Sequence, residues 1–363
     1  MASGCKEKFP FPESAVSNSY LVVEGFINTG GITNIKLSRT AMPDDNALIR
    51  PESYARVSIE SDNGWSYPLA ENGAGLYSAT PFVPDPTAKY RLKIQTTNGK
   101  FYFSDFVEVK TTPAIDSINW IRTDNGVQIN VNTHDPQNTT WYYAWQFDET
   151  WEIQSSYWSL WEYKNHKMTR RSDPSSLVTC WQSASSTNIL IGSSAKLAND
   201  IIYGMPLALI PDDSWKLGVR YSINVKQKAL SKGAFEYLEK MKKNSEQLGS
   251  IFDPQPSNIS GNIYCSDDPD EMVIGYIYAT TIEEKRVFIT RGQVPEWKYR
   301  MYCEFFSVNS TLRDSLDAAF ETGSNLVIDE IRNDMGLIGY TGSSATCIDC
   351  TMRGTNIKPD FWP

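Results

Sequence analysis

At 363 residues the chain exceeds the length at which a single core usually stops growing, which points to two domains. Its 43 Asp+Glu against 34 Lys+Arg leave a formal charge of -9, which repels nucleic-acid phosphates and excludes a nucleic-acid partner. Hydrophobic residues make up 40%, enough for real cores, yet no apolar run reaches the roughly 18 residues of a membrane-crossing helix.

Residues 1–19 read as a polar leader and tether. Cys5 follows Ser3-Gly4, and small residues directly before a near-terminal Cys look like the remnant of a bacterial lipoprotein cleavage site, at which that Cys is lipidated. With two or more acyl chains, at about 0.8 kcal/mol per buried methylene, such an anchor is stable.

From Tyr20 to Lys110 short apolar or alternating runs are separated by turn residues, the signature of strands. Tyr20-Leu21-Val22-Val23, Ile35/Leu37, Val57/Ile59, Tyr90/Leu92/Ile94 and Phe101 to Val109 are the runs, with Asp62-Asn63-Gly64 and Asn98-Gly99 as hairpin turns. Residues 20–112 therefore predict an immunoglobulin-like or transthyretin-like β-sandwich. Thr111-Thr112-Pro113 marks its end, because the residue before a Pro is held extended and a Pro offers no N–H to a ladder.

Residues 113–363 predict a larger, β-rich domain, with alternation at Val127/Ile129/Val131 and Val273/Gly275/Ile277 and a run at 286–289. One helix interrupts it near 231–248: Ser231 is its cap, Phe235, Leu238 and Met241 recur at helical spacing, and Gly249 is its stop. The Pro-containing stretch 250–260 cannot continue that helix and reads as an extended loop.

The densest local feature is the aromatic segment 141–163. Trp141, Tyr143, Trp145 and Phe147 alternate as one core face, and from Trp151 onwards the period lapses. The later rings, Trp151, Tyr157, Trp158 and Trp161, are the candidates for ligand or partner contact, with core filling as the competing reading.

Cys180, Cys265, Cys347 and Cys350 are the disulfide candidates for an oxidising compartment, with Cys303 left as a buried apolar thiol or Cys347 and Cys350 offering alternative partners. Connectivity is not readable from spacing. Cys347-Ile-Asp-Cys350 is half a zinc site without a second half, and only His134 and His166 exist as histidines, so no metal centre is expected. Asp267 to Glu271 could hold calcium, but Asp-Asp-Pro-Asp is also ordinary turn chemistry. No nucleophile elbow, Ser-x-x-Lys or Cys/His pairing appears, so neither an enzyme nor a cofactor is expected.

Leu21-Val-Val-Glu-Gly-Phe-Ile27, Ile35-Lys-Leu-Ser-Arg-Thr40, Gly249-Ser-Ile-Phe-Asp-Pro-Gln-Pro256, Gly261-Asn-Ile-Tyr-Cys265 and the closing Cys347 to Trp362 resemble signatures of a Bacteroidota lipoprotein family, domain-of-unknown-function family 4249, over nearly all of Cys5 to Trp362. That resemblance implies a lipid-anchored, surface-exposed outer-membrane protein beside a TonB-dependent transporter, and no known reaction. The expectation is thus an accessory protein docking on such a transporter. The alternative is a free-standing surface lipoprotein that binds a glycan or a peptide, and the shape around Trp158 separates the two: broad and flat for docking, concave for a small ligand.

Overall fold

Along the strand Lys89–Gln95 the buried residues are Tyr90, Leu92 and Ile94, and along Arg56–Ser61 they include Val57 and Ile59. Every second side chain thus faces a core, as the alternation requires. The computed structural model describes residues 19–40, 50–85, 87–246 and 261–363, so Cys5 and the stretch 250–260 lie outside the described residues. The architecture is mainly β, with few helices.

The chain divides into two units, Met1–Thr112 with Ala229–Ile282 and Pro113–Lys228 with Glu283–Pro363. The division at 112/113 is the expected one. An uninterrupted second domain over 113–363 is not what forms, because Ala229–Ile282, with the helix, belongs to the first unit. The cause lies in strand direction. Val273–Ile274 pairs parallel to Leu21–Gly25, and Ala279–Thr280 pairs parallel to both Val107–Lys110 and Ile27–Asn28. A parallel partner cannot arrive through a tight hairpin and has to come from a distant part of the chain.

In the first unit the strands form one branched hydrogen-bonded sheet, and their inward faces converge on a single cluster that includes Leu21, Ile35, Ile59, Leu92, Tyr102, Ile263 and Ile277. Gly64 and Gly99 take the positive φ, +91° and +89°, that the two predicted turns demand. A Cβ on Gly261 would stand 1.5 Å from the Gly275 carbonyl oxygen, so only glycine lets these backbones meet. Beside it, the Asn262 side chain donates to the Ile277 carbonyl and accepts from the Ile277 amide, both at 2.8 Å, acting as a strand partner. The helix Lys232–Glu246 begins as predicted, with Ser231 Oγ accepting from the Ala234 amide. Ala234 and Tyr237 are buried, while Phe235, Leu238 and Met241 are half-buried.

In the second unit a sheet of Ile115–Thr123, Gly126–His134 and Ile201–Pro211 shares a core with a sheet ordered Thr179–Ser185, Tyr142–Gln154, Arg220–Ala229, Ile282–Thr290. A smaller satellite core lies under Phe305–Val308, Gly336–Ser344 and Asn325–Asn333. The helix Arg313–Phe320 and the hairpin Trp161–Lys164/Lys167–Arg170 pack against it.

Disulfides join Cys180 to Cys350 and Cys303 to Cys347, so Cys303 is bonded and Cys265 is the buried thiol. The four bonded cysteines all belong to the second unit, whereas Cys265 sits in a strand of the first.

Candidate functional site

The long strand Tyr142–Gln154 decides where the aromatic segment goes. Tyr143, Trp145, Trp151 and Ile153 are all buried in the second unit's core, with the Tyr143 and Trp145 rings stacked 5.8 Å apart. The period of two runs unbroken to residue 153. Glu149 occupies an inward position and hides the pattern from the sequence; it is buried, ion-paired with Lys216, and accepts from the Tyr221 hydroxyl at 2.9 Å. Trp151 is therefore core and not a contact residue: it is 3% exposed, edge-on to Trp215, with the Lys216 ammonium 4.9 Å from its ring. Trp161 also turns inward, half-buried in the satellite core and edge-on to Tyr340 at 6.3 Å.

Tyr157 and Trp158 stay at the surface. Trp158 is 56% exposed, and the half-buried Tyr157 packs edge-on against Phe305, itself 63% exposed, at 6.3 Å. The Tyr157 hydroxyl donates to the Cys303 carbonyl at 2.9 Å, and the Ser156 amide donates to the Cys347 carbonyl at 2.8 Å. The Cys303–Cys347 disulfide thus ties this turn to the segment that carries Tyr302, which is 85% exposed. Tyr157 and Phe305 form one ring contact at the surface, and Trp158 and Tyr302 stand exposed on the same two cross-linked segments, so the four together are the candidate aromatic patch. Sequence reasoning found Tyr157 and Trp158. Phe305 was hidden beside Phe306, because on the strand Phe305–Val308 neighbours point to opposite faces and only Phe306 joins the satellite core.

The first unit carries a polar cleft of about 840 Å³ whose lining includes Tyr20, Arg39, Glu52, Asn98, Lys100 and Glu271. Arg39 lines it, with Nε 2.7 Å from Glu52, Nη1 3.5 Å from Glu271 and Nη1 donating to the Ser19 carbonyl. Lys100 and the Tyr102 hydroxyl both donate to Glu271, at 2.6 and 2.7 Å. Burial, and then the bond to Glu271, push the Tyr102 hydroxyl up to about 12. Burial alone would raise Glu271, but the bonds from Lys100 and Tyr102 hold it below the ordinary range. Three of the carboxylates in the acidic segment Asp267–Glu271 thus have protein partners: besides Glu271, Asp267 accepts from the Phe101 amide and Asp268 pairs with Lys100. Neither this cleft nor two smaller ones in the second unit is lined by a residue of the aromatic patch.

The strings that carried the family resemblance have structural work. Leu21, Ile27, Ile35 and Leu37 fill the first core, and Gly261 and Asn262 make the close approach already described. In the closing motif Asp349 caps the turn Cys350–Met352 and Trp362 is buried against Trp181 and Phe288. Among curated proteins, none matches this chain. A family model matches residues 6–286, which leaves the closing motif outside the match, and the chain belongs to that family, described as a domain of unknown function, DUF4249.

Proposed function

We propose that the chain is a lipid-anchored outer-membrane accessory protein, held through Cys5, that docks a TonB-dependent transporter through the aromatic patch around Tyr157. The observation that carries this reading is the patch itself: Trp158, Tyr302 and Phe305 stand in solvent on a backbone fixed by a disulfide. Large rings on a rigid support lose little entropy on binding and dominate interface energies. The two disulfides favour an oxidising, extracytoplasmic compartment, which is where a lipid on Cys5 would keep the chain.

A second reading, a free-standing surface binder of a glycan or peptide, is favoured by the polar cleft around Arg39, whose volume of about 840 Å³ suits an oligomeric polar ligand. One experiment separates the two. The protein is purified by affinity from membranes in mild detergent as wild type, as Trp158→Ala/Phe305→Ala and as Cys5→Ala. Docking predicts that a transporter co-purifies stoichiometrically with the wild type and is lost from the aromatic variant, while Cys5→Ala leaves the membrane fraction. Equal recovery from the aromatic variant overturns the docking surface. Glycan or peptide binding that Arg39→Ala abolishes, with no co-purified protein, supports the second reading.

A further inference from the structure

Among the described residues one group of three metal-ligating side chains comes together: His166, Asp317 and Glu321, whose ligand atoms all lie within 4.8 Å of one another. We infer that this group is a zinc site that clasps the hairpin Trp161–Lys164/Lys167–Arg170 to the helix Arg313–Phe320, the two elements that meet over the satellite core. The reading is independent of transporter docking. It also departs from the expectation of no metal centre, which weighed the cysteines and never brought a histidine to a helix.

The geometry is that of a ligand set. Asp317 and Glu321 are one helical turn apart, with the Glu321 amide bonded to the Asp317 carbonyl, so both carboxylates lie on one face. His166 comes from the hairpin tip, where Asn165 and His166 both take positive φ, 52° and 58°, as a two-residue turn of this kind requires. Its Nδ1 lies 2.8 Å from Asp317 Oδ1 and 3.5 Å from Glu321 Oε1. Donors placed about 2.1 Å from a tetrahedral zinc stand about 3.4 Å from one another, so a small adjustment admits the ion. One imidazole with two carboxylates suits Zn²⁺ better than calcium, which prefers six or more oxygens. Three protein ligands leave a fourth position for water.

The surroundings hold the ligands in place. The Tyr163 hydroxyl donates to Asp317 Oδ1 at 2.5 Å, and the Tyr163 ring packs on Phe320 at 6.3 Å, so Tyr163 orients the carboxylate from within the satellite core. Arg313 Nε, 3.4 Å from Asp317 Oδ2, is the local competitor; its side chain is largely exposed and free to swing away.

The full chain is titrated with Zn²⁺ alone against a chromophoric chelator, and imidazole nitrogen resonances are followed by NMR. The chain has 2 histidines, so the signals are few. The expected result is one equivalent bound, with His166 shifted and His134 unmoved. His166→Asn keeps the left-handed turn, which Asn tolerates, and should abolish that equivalent. Tyr163→Phe keeps the ring and should weaken binding on the order of tenfold, the loss typical of removing a group that orients a ligand. Unchanged affinity in His166→Asn, a shift at His134 instead, or no bound equivalent in the wild type overturns the site.

Discussion

Asp135 is buried just after the strand Gly126–His134 and accepts from the amides of Gln137, Thr139 and Thr140 and the hydroxyls of Thr139 and Thr140, at 2.8 to 3.0 Å. Burial by itself would raise its pKa; the amides of Thr139 and Gln137 and then the hydroxyls outweigh that and bring it down to about 2. Because the folded value lies below the unfolded one, the stabilisation is present above about pH 4 and is lost as the pH falls towards 2. The shift is worth about 2 kcal/mol at neutral pH. Asp135→Asn should lower stability by about that much at pH 7 and by clearly less at pH 3, read from urea unfolding at each pH. An equal loss at both pH values would mean that the charge is not what holds the loop. Residues of this kind were invisible in the sequence, where Asp135 reads as one more turn acid. Trp151 was misjudged for the complementary reason: a single buried Glu149 broke an alternation that the strand itself never breaks.

At the scale of elements, the C-terminal segment shows what a short strap needs to stay ordered. The Cys180–Cys350 disulfide fixes its start, and Trp181 and Thr355 then exchange backbone hydrogen bonds at 2.8 and 2.9 Å. Trp362 ends it, 5.4 Å from Phe288 and 6.4 Å from Trp181, with Nε1 donating to Glu152. Neighbouring Phe361 is more exposed and lies under the Arg286 guanidinium at 3.6 Å. Trp362→Ala should cost about 3 kcal/mol or more through lost burial, and Phe361→Ala under about 1 kcal/mol, measured by denaturant midpoints. Comparable small losses in both would show that the strap adds little to the fold. Hairpin turns and the helix start were legible because Gly64, Gly99 and Ser231 act through local backbone chemistry. The pairing of cysteines was not, because it depends on which unit each strand joins.

For the whole molecule, the consequential fact is that the first unit is built from two stretches of chain. Its core takes Ile263, Val273 and Ile277 from the returning segment, and Phe101–Ser104 finds its partner in Ile263–Cys265. Burial of three such side chains, at roughly 1.5–3 kcal/mol each, is comparable to the net stability of about 5–15 kcal/mol that a domain possesses. Sequence patterning marks Phe101 to Val109 and Val273/Gly275/Ile277 as strand-like but gives no sign of Ile263–Cys265 or Ala279–Thr280, and alternation records which face is buried and never which neighbour lies alongside. The parallel neighbours of Leu21–Gly25 and Val107–Lys110 could be assigned only in three dimensions. A fragment of residues 20–112, which the sequence presents as a complete sandwich, should therefore remain unfolded on its own. Joining it to residues 229–282 should restore folding through a linker of only a few residues, since the Ala229 amide donates to Thr112 Oγ1 at 3.0 Å and the two ends already meet. Amide NMR spectra of the two fragments decide the matter: dispersed resonances from 20–112 alone would show that the returning strands decorate the first unit instead of completing it.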